Sequence, residues 1–401
     1  MKPLHYFLAA NASWFLSFGS HTVLFAWLIT IELNEAPARV GIGQMTMLLP
    51  TLLLILIGGS LADRYGGRRF ALIGQSAAAL GPISLAVVIM TGHLSYSTLL
   101  LYALWMGASQ AIVTPSRDGL LPKLADGQIQ RRVVQVSVIQ FGIQVIGFGL
   151  AAGADAVGPA PILLTQGVIL MLGVVSLYKV KVDEHLTPHR VGILQHTYHS
   201  ILEGFSTIRY SPPLRSVTMQ NCVMGMFMMG SYIVTIPLLI RESYQGTSTA
   251  LAWVNSFNSA GLFITSMVLL KLGHVLRPGR ALLCSLMLSA LLLLGIGLRL
   301  PFLWLLPLMF IWGIGGGMVM TMSRSIMQEQ APPDQRARIM AFFSFSFMGS
   351  GLFGALLNGY LVEWLSPEGA LYCAAAGTTL ATLTIALISP LWRLESHPHP
   401  V

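Results

Sequence analysis

The stretch Gly59-Ser-Leu-Ala-Asp-Arg-Tyr-Gly-Gly-Arg-Arg69 places one acid, three arginines and a Gly pair between two long apolar runs. Asp63 stands at the end of the first run, and Gly66 and Gly67 permit backbone angles that a side chain would disfavour. Arginine is enriched in the cytoplasmic loops of membrane proteins. The stretch therefore predicts a tight cytoplasmic turn between two membrane-spanning helices.

The composition of the whole chain is that of a membrane protein. Of its 401 residues, 54% are hydrophobic and 9% are charged, against roughly 25% charged in soluble domains. A bilayer core of about 30 Å needs about 20 apolar residues per helix. Twelve long apolar runs, each bounded by charged or turn residues, predict an all-α multi-pass protein. Their spans are 5–32, 40–63, 69–92, 95–117, 132–155, 159–178, 216–240, 248–271, 280–298, 301–323, 338–363 and 369–391.

The basic residues predict the orientation of these spans. With the N-terminus inside, all but three of the 23 Lys and Arg residues fall on the cytoplasmic side, the exceptions being Arg39, Arg241 and Arg299. Both termini are then cytoplasmic. The formal charge of +8 is explained by this topology and by anionic lipid headgroups. It does not indicate a nucleic-acid partner, because no basic and aromatic interleaving accompanies it.

An internal repeat predicts two halves. Thr114-Pro-Ser-Arg117 recurs as Thr321-Met-Ser-Arg324, an offset of 207 positions. The long polar segment between the sixth and seventh spans divides the predicted helices six and six. We therefore expect pseudo-symmetric six-helix bundles over residues 1–180 and 215–401, joined by a cytoplasmic linker over 181–214 that contains an amphipathic helix.

The opening stretch resembles the signature of the major facilitator superfamily between its second and third helices. Asp63 and Gly66 are in register with the pattern GxLaDrxGrkxxl, whereas Gly67 stands where a base is usual. Thr114-Pro-Ser-Arg-Asp-Gly-Leu-Leu-Pro122 and Glu329-Gln-Ala-Pro-Pro333 are similar to the bacterial drug and siderophore efflux branch that includes the enterobactin exporter. The resemblance implies alternating access around a mid-membrane site between the two bundles, in a monomer.

Two departures from that branch concern proton coupling. Drug-proton antiporters carry Gly-Pro in the fifth helix, where this chain has Gly147-Phe148. They also carry an arginine in the middle of the fourth helix, where this chain reads Tyr102-Ala-Leu-Trp-Met-Gly107. The proton-handling arginine of the family therefore has no counterpart here.

The acidic turn is a candidate conformational latch. A carboxylate at Asp63 could pair with Arg117, or accept hydrogen bonds from the first amides of the eleventh helix near Arg338. Such contacts would hold the outward-facing state, as the resemblance also implies. The alternative is a helix cap followed by a basic loop. The candidate latch residues are Asp63, Arg64, Gly66, Arg68, Arg117 and Arg338.

Polar side chains inside the spans are candidates for the transport site, because each is costly in lipid. His21 is the titratable side chain near the middle of a span, so it is both a substrate-binding and a proton-coupling candidate, or else a neutral packed histidine. The other candidates offer amide and aromatic surface with little charge, and they could instead serve as interhelical hydrogen bonds. They are Gln44, Gln110, Gln140, Gln144, Tyr232, Asn255, Asn258 and Trp312.

These features favour a secondary transporter over an enzyme. The chain has no GxxxxGK[ST] motif, no paired acids at a common depth and no Cys and His spacing typical of a metal site, so we expect no cofactor and no metal. We predict export of an amphipathic siderophore, drug or metabolite across the cytoplasmic membrane, coupled to protons. The alternatives are an importer or uniporter of a polar nutrient and, in another class, a membrane-embedded receptor or enzyme.

Overall fold

The fold is seen in a computed structural model. It describes residues 3–124, 129–182, 205–244, 246–272, 275–332 and 335–395; within these ranges, the side chains of residues 55–65, 122, 129–131, 133–134 and 336–338 are outside the description. The described chain is helical, with no β-strand in any of these ranges.

Twelve long helices follow one another in the described part of the chain. Eleven of the described helices are long and apolar enough to cross a membrane, and α2 is a further helix of 29 residues. The prediction of an all-α multi-pass protein is confirmed. The helices are α1 Pro3–Trp27, α2 Pro37–Tyr65, α3 Gly67–Met90, α4 Tyr96–Leu120, α5 Ile129–Ala151, α6 Pro159–Tyr178, α7 Pro212–Ser243, α8 Ser248–Leu272, α9 Pro278–Ile296, α10 Phe302–Gln330, α11 Arg336–Leu365 and α12 Pro367–Ile388.

Proline and positive backbone angles set the helix boundaries. The helices α2, α6, α7, α9 and α12 each begin with proline, whose missing N–H costs nothing in the first turn. Gly158 has φ of 79° immediately before α6, so the chain turns there between α5 and α6, as the short gap between the predicted spans 132–155 and 159–178 requires. α10 extends to Gln330, beyond its predicted end at 323, because Arg324 is followed by helix-forming residues up to Ala331.

The chain divides into two compact units. The N-terminal unit comprises Met1–Ala36, Gly43–Leu194 and Tyr244–Ser256, and the C-terminal unit comprises Pro37–Ile42, Gln195–Ser243 and Phe257–Val401. The first turns of α8 therefore lie in the N-terminal unit, and the start of α2 lies in the C-terminal unit. Most of the predicted linker, residues 183–204, is outside the described residues, so its amphipathic helix remains a prediction.

Each unit is held together by the same kind of close helix contact. A Cβ placed on Gly147 of α5 would lie 2.1 Å from the Leu16 carbonyl oxygen of α1, and one on Gly354 of α11 would lie 2.3 Å from the Met226 carbonyl oxygen of α7. Gly147 and Gly354 are separated by the repeat offset of 207. Small residues let helix backbones approach closely in lipid, so α1 and α5 in one unit pair as α7 and α11 do in the other.

Candidate functional site

The turn between α2 and α3 is shaped by one glycine. Gly66 has φ of 99° and caps α3, an angle that other residues adopt only with strain. Gly67 is the first residue of α3, so the prediction that it also needs special backbone freedom is wrong. Arg68 donates to the Tyr178 carbonyl at the end of α6 at 2.5 Å. The turn is thereby tethered within its own unit.

Three of the predicted latch side chains lie outside the description: those of Asp63 and Arg64, in the last turn of α2, and that of Arg338, in the first turn of α11. The pairing of Asp63 with Arg117 or with the start of α11 therefore remains a prediction.

Arg117 is a buried cation that is only partly hydrogen-bonded. Its Nη2 donates to the Ala10 carbonyl at 2.9 Å and to Gln75 Oε1 at 2.5 Å, and its guanidinium lies 5.0 Å from the centre of the Trp14 ring. Among the described residues, its Nε and Nη1 have no hydrogen-bond acceptor. By contrast, Arg324, its counterpart in the repeat, is exposed. Arg117 thus has two N–H groups that the described part of the N-terminal unit does not pair.

His21 occupies a neutral polar site in the N-terminal unit. Its Nδ1 lies 2.8 Å from the Tyr102 hydroxyl and its Nε2 lies 3.2 Å from the Met47 sulfur. Because a thioether can only accept, Nε2 is the nitrogen that carries the hydrogen, and Nδ1 accepts from Tyr102. The Phe25 ring stacks on the imidazole at 5.6 Å. A neutral histidine satisfies both partners here.

A buried amide adjoins this histidine site. Gln166 of α6 lies beside the Tyr102 hydroxyl, yet within the described ranges neither its oxygen nor its nitrogen is at hydrogen-bonding geometry with a partner. Its side chain is fully buried, and unpaired amide groups in such a position are costly. The cluster of His21, Tyr102 and Gln166 therefore has an acceptor in reserve.

The other predicted amides are distributed differently. In the N-terminal unit, Gln44 is buried while Gln110, Gln140 and Gln144 are half-buried. Asn255 and Asn258, both candidates for the transport site, are three residues apart on α8. The structure assigns Asn255 to the N-terminal unit, where it donates to the Leu251 carbonyl at 2.7 Å, and assigns Asn258 to the C-terminal unit.

The C-terminal unit contains an apolar cavity of about 190 Å³. Among the described residues that line it, none is charged, and its few polar groups come from Tyr232, Asn258 and Ser289. Tyr232 meets Trp312 edge to face, with ring centres 5.9 Å apart. Three predicted residues, Tyr232, Asn258 and Trp312, therefore come together. The cavity is also lined by residues that were not among the sequence candidates: the Phe347 ring and the thioethers of Met224, Met228, Met229 and Met320.

Two exposed carboxylates cap the starts of helices. Asp155, after α5, accepts from the backbone N–H groups of Ser248 and Thr249 at 3.1 and 3.2 Å, and from the Ser248 hydroxyl at 2.8 Å. It also accepts from the Trp27 indole at 3.0 Å. In the C-terminal unit, Glu363 near the end of α11 accepts from the Ala38 N–H at 3.1 Å. Negative charge is favourable at these helix N-termini.

Comparison with known families decides the identity of the chain. The family model described as Major Facilitator Superfamily matches residues 7–355, with a second match over residues 221–401. The chain belongs to the Major Facilitator Superfamily. It is therefore a membrane transporter, and the predicted resemblance is confirmed.

Within this superfamily, the chain is similar to exporters at low identity. It is 22% identical over 348 residues to the enterobactin exporter EntS of Escherichia coli, covering 85% of this chain and 80% of that protein. The enterobactin exporter EntS of Shigella flexneri is also 22% identical, over 355 residues and with the same coverage.

Solved structures of superfamily members confirm the fold. An auto-inhibited peptide transporter of the POT family has a TM-score of 0.77 at 14% identity, covering 100% of this chain and 99% of that one. The nucleoside transporter NupG has a TM-score of 0.71 at 12% identity, covering 96% and 99%. At such identities the likeness concerns the fold alone.

Proposed function

We propose that this chain exports an amphipathic organic molecule with a planar apolar part across the inner membrane by alternating access, with both termini in the cytoplasm and a monomer as the working unit. The cavity of the C-terminal unit carries the proposal. A cavity of roughly 150 Å³ lined by apolar side chains accepts benzene. The cavity found here, at about 190 Å³, suits one or two rings.

The cavity lining supports this class of substrate. Thioethers from Met228, Met229 and Met320 are flexible and polarisable, so they adapt to ligands of different shape. The rings of Tyr232 and Trp312 add aromatic faces and edges. A sugar or a small ion would find too few polar partners there, whereas a ring system with one or two hydroxyls could use Asn258 and Ser289.

Export is the direction that the curated relatives support, since two of them are named enterobactin exporters. The structural neighbours include nucleoside and peptide transporters, so uptake of a polar nutrient is the outcome that a direct test has to exclude.

A binding screen tests the substrate class. Purified protein is titrated with enterobactin, tetraphenylphosphonium, glucose and a dipeptide by calorimetry. We expect an aromatic compound to bind and glucose not to bind. Trp312→Ala should weaken that binding, whereas Trp304→Ala on the same helix, whose side chain is 64% exposed, should leave it unchanged. Tight binding of glucose or the dipeptide, with no aromatic compound bound, would overturn the proposal.

For coupling, we propose that His21 takes up the proton. A proton added at Nδ1 would turn the Tyr102 hydroxyl into an acceptor, and the hydroxyl hydrogen could then be donated to the unpaired Gln166 oxygen. The added positive charge would stay on His21, and only hydrogen-bond directions within the cluster of His21, Tyr102 and Gln166 would change.

Flux into proteoliposomes under an imposed pH gradient tests this part separately. His21→Gln and Tyr102→Phe should abolish the response of flux to the gradient, while His93→Gln, in the exposed turn after α3, should retain it. A full pH response in folded His21→Gln would remove His21 from coupling and leave the substrate proposal intact.

A further inference from the structure

The middle of α7 is not an ordinary α-helix. The N–H of Gly230 donates to the Gly225 carbonyl, and the N–H of Ile236 donates to the Ser231 carbonyl, each five residues back. Met224–Met229 and Ser231–Thr235 are therefore two π-helical turns. Such turns are rare and concentrate at functional sites. Met224, Met228, Met229 and Tyr232, four residues of the cavity lining, lie in them.

Asn358 of α11 holds these turns in place. Its Nδ2 donates to the carbonyls of Met226 at 3.3 Å and of Gly354 at 2.9 Å. Its Oδ1 accepts from the hydroxyls of Ser231 at 3.2 Å and of Thr235 at 3.0 Å. The side chain is fully buried, and its amide uses both donor hydrogens and both acceptor positions.

The regular part of the same helix shows how Ser and Thr hydroxyls bond when no Asn358 lies opposite them. Ser216 and Thr218 donate to carbonyls four residues back, those of Pro212 and Leu214, at 2.7 and 2.8 Å. This is the ordinary behaviour of Ser and Thr inside a helix. Ser231 and Thr235 instead donate across to α11. Their hydrogen bonds therefore favour the wide turn over the regular one.

The N-terminal unit has a π-helical turn too, but at a different place. Leu28–Glu32 is π-helical and directly follows α1, which is α-helical up to Trp27. The residue 207 positions before Asn358 is Ala151, which has no side-chain amide to hold such a turn. The Asn358 hydrogen bonds to the middle of α7 therefore have no counterpart at the matching position of the repeat, and they need an explanation in the function of the C-terminal unit.

We propose that Asn358 is a positioning residue that sets the specificity of the cavity, by keeping α7 in its π-helical register so that Met228, Met229 and Tyr232 line it. The proposal rests on the proposed role of the cavity in substrate binding. Each residue along an α-helix turns by about 100°. Loss of one wide turn would therefore rotate Tyr232 away from the cavity and change which ligands fit.

Two measurements on Asn358→Ala test this inference. The first is thiol labelling of Tyr232→Cys by a water-soluble maleimide, with Cys222, Cys284 and Cys373 replaced by serine. The second is the affinity for 2-naphthol, a two-ring probe with one hydroxyl. We expect labelling to fall roughly fivefold and 2-naphthol to bind roughly tenfold more weakly, a change of about 1.4 kcal/mol. Ser216→Ala, in the regular part of α7, should change neither.

The outcomes separate this inference from the proposed function. If the unmodified protein does not bind 2-naphthol, the substrate proposal is weakened, while labelling still tests the register of α7. If Asn358→Ala does not fold, the double variant Ser231→Ala/Thr235→Val removes the same hydrogen bonds from the α7 side and should show the same fall in labelling. Unchanged labelling in either folded variant would overturn the positioning role.

Discussion

The two units share their helix pairing but differ in what they bury. The N-terminal unit encloses polar groups, with the Arg117 guanidinium against Gln75 and His21 between Tyr102 and Met47. The C-terminal unit contains an apolar cavity beside a π-helical α7. Two units of the same fold thus have different interiors. The polar interior of the N-terminal unit is suited to charge and conformational control, and the apolar cavity of the C-terminal unit is suited to binding an apolar group. The following predictions test whether that division is real.

The largest effect is expected where the units are alike. Gly147→Ala and Gly354→Ala each force a Cβ against a backbone carbonyl of the paired helix, so each should lower the free energy of unfolding by about 3 kcal/mol. Equilibrium unfolding in mixed micelles measures this loss of unfolding free energy. Gly149→Ala, on the same helix as Gly147 and with open space around it, is the control. A large loss for only one of the two pairs would mean that the halves do not share this packing.

A smaller effect should separate the two arginines of the repeat. Arg117→Gln removes charge-assisted hydrogen bonds and the Trp14 contact of a buried group, so the free energy of unfolding should fall by about 2 kcal/mol. Arg324→Gln, at an exposed position, should cost less than about 0.5 kcal/mol. Equal costs would contradict the view that the N-terminal unit alone uses this arginine internally.

The helix caps should differ between units by a still smaller amount. Asp155→Asn weakens a carboxylate that accepts from both the Ser248 and Thr249 amides, and it should destabilise the start of α8 by about 1 kcal/mol. Glu363→Gln affects one amide, that of Ala38, and should cost about half as much. Hydrogen exchange at these amides measures both changes. The prediction is contradicted if Glu363→Gln accelerates exchange at Ala38 more than Asp155→Asn accelerates it at Ser248.

An effect as small as that of the helix caps is expected for two methionines with different roles. Met47→Leu leaves the His21 Nε2 without its acceptor and should cost about 1 kcal/mol. Met228→Leu keeps a cavity wall apolar and should cost about 0.5 kcal/mol. Thermal unfolding of both variants measures the difference. Equal shifts would indicate that Met47 also serves only as an apolar filler.

The helices were predictable from the sequence because lipid requires long apolar runs, and the predicted span of 159–178 is the observed α6. The turn at Gly66 was predictable for a similar local reason. The π-helical turns were not, since Met224-Gly-Met-Phe-Met-Met229 consists mostly of ordinary helix formers. Their cause is Asn358, more than 100 positions away, and such a contact depends on the packing of two helices.

The candidate site was predicted only in part for the same reason. Tyr232, Asn258 and Trp312 were identified because polar and aromatic residues are conspicuous inside an apolar span, and they meet in the cavity. Methionine carries no such signal. Asn255 and Asn258 were identified for the same reason, but their positions on one helix do not reveal which unit each residue joins.

The thioether lining of the cavity also makes the protein sensitive to oxidants. Conversion of Met228, Met229 or Met320 to the sulfoxide would place a strong S–O dipole in a wall that otherwise offers few polar groups. Exposure to peroxide would then abolish substrate binding without cleaving or unfolding the chain, and methionine sulfoxide reductase would restore the binding. Peptide mass spectrometry alongside binding before and after reductase treatment measures this reversibility.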